Sequence, residues 1–322
     1  MESIISKNVI LVTGGTGLVG YGIREYVNSK PDLLQWGEWI FLGSEYDLRS
    51  SEQTAKCFEK YQPTHVIHLA AKVGGLFINM THKVEFWRDN MLINDNVMEY
   101  CRIHHVKKLV SFLSTCIFPD NTTYPIDETM VHRGPPHSSN AGYAYAKRMI
   151  DVMNHCYNEQ YGCQFTSVIP TNIYGPNDNY SLESGHVIPS LIHKCYLALH
   201  ENKPFVVKGS GRPLRQFIYN LDLAKLVVWT LLEYDQIEPL ILSVDEADEI
   251  CISDVAHLIA RGMGMPESNI IMDTNFADGQ FRKTASNRKL RQLLPDFQFT
   301  PIEEAIKSSC QWFIQHYNEV RK

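Results

Sequence analysis

Residues 8–20, NVILVTGGTGLVG, constrain the fold more than any other stretch of the chain. A β-branched apolar run ends in glycines and passes at once into an amphipathic segment that reaches about residue 29. That order predicts strand, tight turn and helix, with Gly14, Gly17 and Gly20 spaced G-x-x-G-x-x-G and with Gly15, Thr16, Leu18 and Val19 completing the loop. Glycine permits the turn and a close backbone approach to a pyrophosphate, which the amide groups and partial positive charge of a helix N-terminus attract. A glycine cluster alone is a weak signal. One placed between a strand and a helix predicts a dinucleotide site.

The rhythm of the next 150 residues supports that reading. Short apolar runs recur at 38–43, 65–70, 107–114 and 164–170, and helix-length segments lie between them at about 51–61, 83–104 and 141–161. Strand alternating with helix implies right-handed βαβ units and a parallel sheet covered on both faces. The expected fold is therefore α/β, a doubly wound parallel sheet. After PTNIYGP (170–176) the rhythm changes to loop-rich sequence, a helix over 186–200 and a short strand near FVVKG. Residues 215–234 read as one more strand and helix returning to the main domain, and the remainder as a strand (PLILSV) with helices near 252–263 and 302–318. The expected organisation is a dinucleotide-binding domain of residues 1–176 and 215–236, with a smaller, discontinuous substrate-binding domain of 177–214 and 237–322.

Bulk properties narrow the function. The 322 residues are 44% hydrophobic and 20% charged, enough to bury a real core. A net charge of −6 argues against a nucleic-acid partner. No run of about 18 apolar residues predicts a membrane span, and the start, MESIISKNVILVTGG, lacks a signal-peptide layout. The eight cysteines are scattered without a CxxC pair, so they read as reduced thiols in a cytoplasmic protein, with no metal site.

Chemistry enters at YAYAK, where Tyr143 and Lys147 are four residues apart and share one face of a predicted helix. A nearby ammonium is expected to lower the phenol's pKa, fitting it for proton transfer at a carbonyl or alcohol oxygen. Ser114, at the end of the strand pattern in SFLSTCIFPD, is expected to hydrogen-bond the same oxygen. Asp47 and Leu48 follow the second strand, where an acid accepts from an adenine amine; Ala70 and Ala71 follow the third, small enough to lie against a cofactor.

T-G-x-x-G-x-x-G, a strand-end Ser and Y-x-x-x-K together resemble the extended short-chain dehydrogenase/reductase family. Longer blocks, among them PTHVIHLAAKVGGLF, LSTCIFPDNTTYPIDE, YAKRMIDV, PTNIYGPNDN, GHVIP and RQFIY, resemble its nucleotide-sugar epimerase-reductases nearly end to end. The resemblance implies a Rossmann-type fold, NADPH as cofactor (NADH in second place) and a GDP-linked 4-keto-6-deoxyhexose as substrate. It implies 3,5-epimerisation through enolates, with Cys116 as base and His186 as acid, then hydride reduction at carbon 4 to GDP-L-fucose. It places Leu113, Lys147, Pro170, Asn172, Ile173 and His186 at the cofactor, and Lys194, Lys208, Arg215, Asp278 and Lys283 at the sugar nucleotide.

Two positions depart from the family pattern: Lys208 stands where a Trp is frequent, and Glu45, with no nearby arginine, stands where a 2′-phosphate needs a cation. A homodimer is also implied, and the segments at 83–104 and 141–161 carry apolar residues on more than one face, including Phe86, Trp87, Met91 and Met149. The rival readings are a single-step nucleotide-sugar epimerase or dehydratase that recycles NAD, and a non-catalytic redox-sensing relative. Cys116 and GHVIP count against the first, the intact Tyr143 and Lys147 against the second.

Overall fold

The computed structural model describes residues 7–322, so the leader-free reading of residues 1–6 lies outside the described residues. Contacts gather the chain into two units. One comprises Met1–Asp120, Glu128–Ile169 and Ala224–Leu240; the other comprises Asn121–Asp127, Pro170–Leu223 and Ile241–Lys322.

The first unit runs β1 (Asn8–Thr13), α1 (Leu18–Asn28), α2 (Pro31–Trp36), β2 (Gly37–Leu42), α3 (Ser51–Tyr61), β3 (His65–His68), α4 (Leu76–Thr81), α5 (Lys83–Ile103), β4 (Lys108–Phe112), α6 (Ala141–Tyr161) and β5 (Phe165–Pro170), whose last residue belongs to the second unit. Four parallel pairings join these strands in the order β2-β1-β3-β4-β5. The later strand Leu240–Leu242 takes the far edge beside β5. Strands covered on both faces read as unbroken apolar runs, and Ile10, Leu11, Val12, Val66, Ile67, Leu109 and Val110 are all fully buried. From β1 the chain goes to one side for β2 and to the other for β3. That reversal opens a crevice beyond the carboxyl end of β1, where ligands settle in such sheets.

Local chemistry sets the helix ends. Ser50 Oγ accepts from Gln53 N at 3.3 Å to start α3, an N-cap that contributes about 1 kcal/mol. Gly162 ends α6 with a φ of +69°, a backbone region unfavourable to residues with a Cβ.

The second unit contains β6 (Asn172–Tyr174), α7 (Val187–His200), β7 (Phe205–Lys208), β8 (Leu214–Arg215) and β9 (Phe217–Tyr219). Next come α8 (Asn220–Glu233) and β10 (Leu240–Leu242), both divided between the units, then β11 (Ile250–Cys251), α9 (Ile252–Met263), β12 (Ile270–Asp273), α10 (Arg288–Leu293) and α11 (Ile302–Gln315). Ala305, Ile306, Ser309, Cys310 and Phe313 form the buried stripe of α11, the helical spacing of a core-facing side. They close on Ile192 and Cys195 of α7 and on Ala256 and Ile259 of α9 in a single apolar cluster.

The strand expected to rejoin the main domain after residue 215 does not pair there. β9 lies parallel to β6 in a separate two-stranded ladder, because β10 already occupies the sheet edge beside β5. Phe86 likewise departs from expectation. It is buried and meets the Tyr143 ring edge-on at 6.5 Å, so it belongs to the core, whereas Val84, Trp87, Leu92 and Ile103 of α5 stay exposed. Among the described residues all eight cysteines are unbridged, no cluster of His, Cys, Asp or Glu is placed to hold a metal, and no helix is long and apolar enough to cross a membrane.

Candidate active site

The glycine loop is tight because its neighbours leave no room for side chains. A Cβ on Gly14, whose φ is +66°, would lie 2.9 Å from Ala70 N, and one on Gly20 would lie 2.4 Å from Gly15 O. Gly17 differs: its Cβ would meet only Gly14 O, at 3.3 Å, and it opens the eleven-residue α1 with no side-chain cap. Closed packing behind the loop and a helix N-terminus in front of it form a cradle that fits a pyrophosphate. Thr16, Leu18 and Val19 continue this turn into α1.

Around the cradle, Ala70 N donates to Thr13 Oγ1 at 3.2 Å, with Ala71 next in the chain. Asp47 is held by Arg49, whose Nε and Nη2 donate to its two oxygens at 2.9 and 2.8 Å. These bonds lower its pKa and keep it ionised. Leu48 is buried and its carbonyl accepts from Asn96 Nδ2 at 2.9 Å. The Glu45 carboxylate folds back over the end of β2, 3.1 Å from where a Gly43 Cβ would stand and as close to that point as Thr16 Cγ2.

The Tyr143–Lys147 pair sits on α6 as its spacing requires, but its electrostatics differ from expectation. Tyr143 has its pKa raised, by burial first and then by Cys116. Desolvation disfavours the phenolate, and Lys147 directs its ammonium to a carbonyl instead, Nζ donating to Phe112 O at 2.9 Å. Burial also presses the Lys147 pKa down to about 8, with Cys116 acting against that shift. The phenol is therefore held as a proton donor at neutral pH.

Ser114 and Cys116 approach the same helix. Ser114 caps the short turn Thr115–Ile117, its Oγ accepting from Cys116 N at 3.4 Å. Leu113 is buried, and its N–H donates to Val168 O at 2.9 Å. The first unit thus carries the glycine loop, Asp47, Leu48, Ala70, Ala71, Leu113, Ser114, Cys116, Tyr143 and Lys147.

The other expected residues belong to the second unit. Pro170, Asn172 and Ile173 lead into and form β6, and Asn172 Nδ2 donates to Gln216 O at 2.8 Å. His186 precedes α7 in extended conformation. More than a third of its surface is open, yet desolvation still lowers its pKa. Lys194 and Lys208 meet across a groove of about 320 Å³ floored by Leu197, Val206 and Phe276. The Lys208 ammonium stands 4.5 Å from the Phe276 ring centroid, and burial followed by Lys208 lowers the Lys194 pKa. Arg215 Nη1 donates to Leu214 O at 2.7 Å, and burial lowers its pKa. Asp278 accepts from Ser210 N and Oγ at 2.8 and 2.6 Å, which ties down the turn after Lys208. Lys283 lies on the same returning segment, half-buried.

Two supports were not read from the sequence. His68 Nε2 and Asn94 Oδ1 are 3.2 Å apart, His68 Nδ1 and Thr13 Oγ1 are 2.8 Å apart, and Asn94 Nδ2 donates to Ala146 O at 3.2 Å. This relay runs from the end of β1 to the residue before Lys147. Burial, then the Lys147 charge, pushes the His68 pKa down to about 3, so the ring is neutral. Its one sequence signal is a histidine inside the apolar run HVIHLA. Arg148 is the second, a buried guanidinium binding the Ile117 and Gly134 carbonyls.

A doubly wound parallel sheet with a glycine cradle at its crevice, and a Tyr–Lys pair beside a strand-end hydroxyl, defines a Rossmann-type nucleotide-binding protein. The chain belongs to the NAD dependent epimerase/dehydratase family, whose model matches residues 10–244. Among similar proteins, GDP-L-fucose synthase of Dictyostelium discoideum is 61% identical over 100% of both chains. A probable GDP-L-fucose synthase of Drosophila melanogaster is 50% identical over 97% of this chain and 99% of its own. The crystal structure of a GDP-L-fucose synthetase from Naegleria fowleri bound to NADP superposes with a TM-score of 0.94 at 50% identity, covering 99% of this chain and 96% of that one.

Proposed function

We propose that this chain converts GDP-4-keto-6-deoxy-D-mannose to GDP-L-fucose, by 3,5-epimerisation followed by NADPH-dependent reduction at carbon 4. One observation carries the reading: Cys116 sits on the short turn that Ser114 caps, and that turn is bonded through Ile117 O to α6, the helix bearing Tyr143 and Lys147. Reduction needs only the serine, the phenol and the lysine. A thiol among them answers the need for a base at a carbon next to the ketone.

In this reading the Cys116 thiolate takes the proton from carbon 3 or 5, and the C–H electron pair moves into an enolate. The hydroxyls of Ser114 and Tyr143 hold the enolate oxygen. His186 returns a proton to the opposite face, and exchange with solvent resets both groups. The dinucleotide, held by residues 14–20 with Ala70, Ala71 and Lys147, supplies a hydride to carbon 4 when bound. Tyr143 donates its proton to the resulting alkoxide, so one hydride and one proton are consumed per turnover. Lys194, Lys208, Arg215 and Lys283 supply positive charge for the diphosphate of the substrate.

The first unit carries the glycine cradle for the cofactor, and the second carries the cations for the sugar nucleotide. The protein works in the cytoplasm as a homodimer, in which a second copy covers the exposed Val84, Trp87, Leu92 and Ile103 of α5. Incubation with GDP-4-keto-6-deoxymannose and each reduced cofactor tests the chemistry. GDP-L-fucose with stoichiometric NADPH oxidation is expected; an isomerised but unreduced sugar with no net cofactor consumption would overturn it.

A further inference from the structure

Arg148 follows Lys147 on α6 and is buried. Its Nε and Nη2 both donate to Ile117 O, the former at 2.9 Å, and its Nη1 donates to Gly134 O at 2.8 Å. Ile117 closes the short turn Thr115–Ile117 that Ser114 opens, so one guanidinium and one hydroxyl grip the two ends of the turn bearing Cys116. The guanidinium carbon also stands 5.4 Å from the Tyr145 ring centroid.

The charge balance around this grip is uneven. A buried cation is costly unless an anion or several acceptors compensate it. The groups that favour the charged form of Arg148 are Tyr145 and Cys116, a phenol and a thiol and no carboxylate. For Lys147, also buried, Cys116 is the group that does so. Two adjacent buried cations of α6 therefore act on the turn that carries Cys116, and a thiolate there is an anion that would neutralise them. Tyr143, Lys147 and Arg148 of α6 are titratable or charged groups of the first unit that interact electrostatically with Cys116.

We propose that Arg148 is a positioning residue for Cys116: it pins the Thr115–Ile117 turn through the Ile117 carbonyl and, with Lys147, holds buried positive charge that favours the thiolate over the thiol. A thiolate next to Lys or Arg is a stronger base and nucleophile at neutral pH than an isolated thiol. The inference rests on the reading of Cys116 as the epimerisation base.

Two measurements on the full chain separate the inference from that reading. Iodoacetamide alkylation of the Cys116 peptide, followed by mass spectrometry across pH, reports the thiolate without any substrate. Solvent-deuterium uptake at carbons 3 and 5 of the keto sugar reports base catalysis. In Arg148→Gln the alkylation midpoint is expected to rise by about one pH unit, equivalent to a loss of about tenfold in thiolate at pH 7. Deuterium uptake should fall by at least that factor, while reduction of an already epimerised 4-keto sugar changes by less than about twofold. Arg148→Lys keeps the charge but not the forked grip; it should hold the midpoint within about half a unit and still slow uptake. An unchanged midpoint in Arg148→Gln would overturn the inference. Should that variant fail to fold, wild-type uptake in Arg148→Lys would do so for the pinning. Normal uptake in Cys116→Ser would instead remove the base assignment, and the alkylation midpoint would still judge Arg148.

Discussion

Replacing Asp178 by Asn should flatten the pH dependence of stability. The Asp178 carboxyl is buried; its Oδ1 accepts from Asn179 N at 2.7 Å, and its Oδ2 has no hydrogen-bond partner among the described residues. Burial pushes its pKa from 3.8 up to about 7, and the Asn179 N–H and the Arg321 charge only partly oppose that rise. The sign follows from proton binding. The unfolded chain releases this proton near pH 3.8 and the folded chain near pH 7, so the unfolded state is increasingly favoured between those values. Stability contributed at this site therefore falls as pH rises through that window and levels off above it. A gap of about three units at about 1.4 kcal/mol each gives a total of about 4 kcal/mol, of which about 3 kcal/mol falls between pH 5 and 8. Asparagine keeps the Oδ1 acceptor and cannot ionise. Urea unfolding of both proteins at pH 5, 6, 7 and 8 should show the variant gaining on the wild type by about 3 kcal/mol across the series. Parallel stability curves for the two proteins would refute the reasoning.

Tyr143→Phe should lower reduction by about 10²–10⁴-fold, the worth of a positioned proton donor, with cofactor affinity largely kept; fluorescence titration and turnover give the two halves, and wild-type turnover would sink the assignment. Cys116→Ser should abolish deuterium uptake at carbons 3 and 5 yet spare direct reduction of the unepimerised ketone, visible as a GDP-6-deoxyhexose of unchanged configuration. Asn94→Ala leaves the buried His68 Nε2 without its Asn94 partner and removes a second bond to the Ala146 carbonyl, so a loss of about 1–3 kcal/mol is expected in thermal or urea unfolding; a wild-type midpoint would show that the relay carries no weight. Light scattering at micromolar concentration should report twice the 37.0 kDa chain mass, and a clean monomer would show that the exposed face of α5 needs no second copy.

Sequence alone determined the features that depend on local pattern. The glycine spacing placed the turn between β1 and α1; the apolar runs placed five parallel strands; the helical period put Tyr143 and Lys147 on one face of α6. Each follows from backbone geometry over a few residues, where the 2.0 and 3.6 periods and the permissiveness of glycine dominate. Only tertiary structure decided the rest. The pKa of Tyr143 depends on how much protein surrounds the ring; burial and then Cys116 raise it, while the Lys147 ammonium is turned to the Phe112 carbonyl. β9 joined β6 because another strand had already taken the edge of the sheet. Phe86 went inward although its neighbour Trp87 did not. The Thr13–His68–Asn94–Ala146 relay and the hold of Arg148 on Ile117 O join residues from 26 to 55 positions apart. Nothing in a short window records such contacts, because desolvation and long-range hydrogen bonding are set by which elements pack together, and only the assembled chain specifies that.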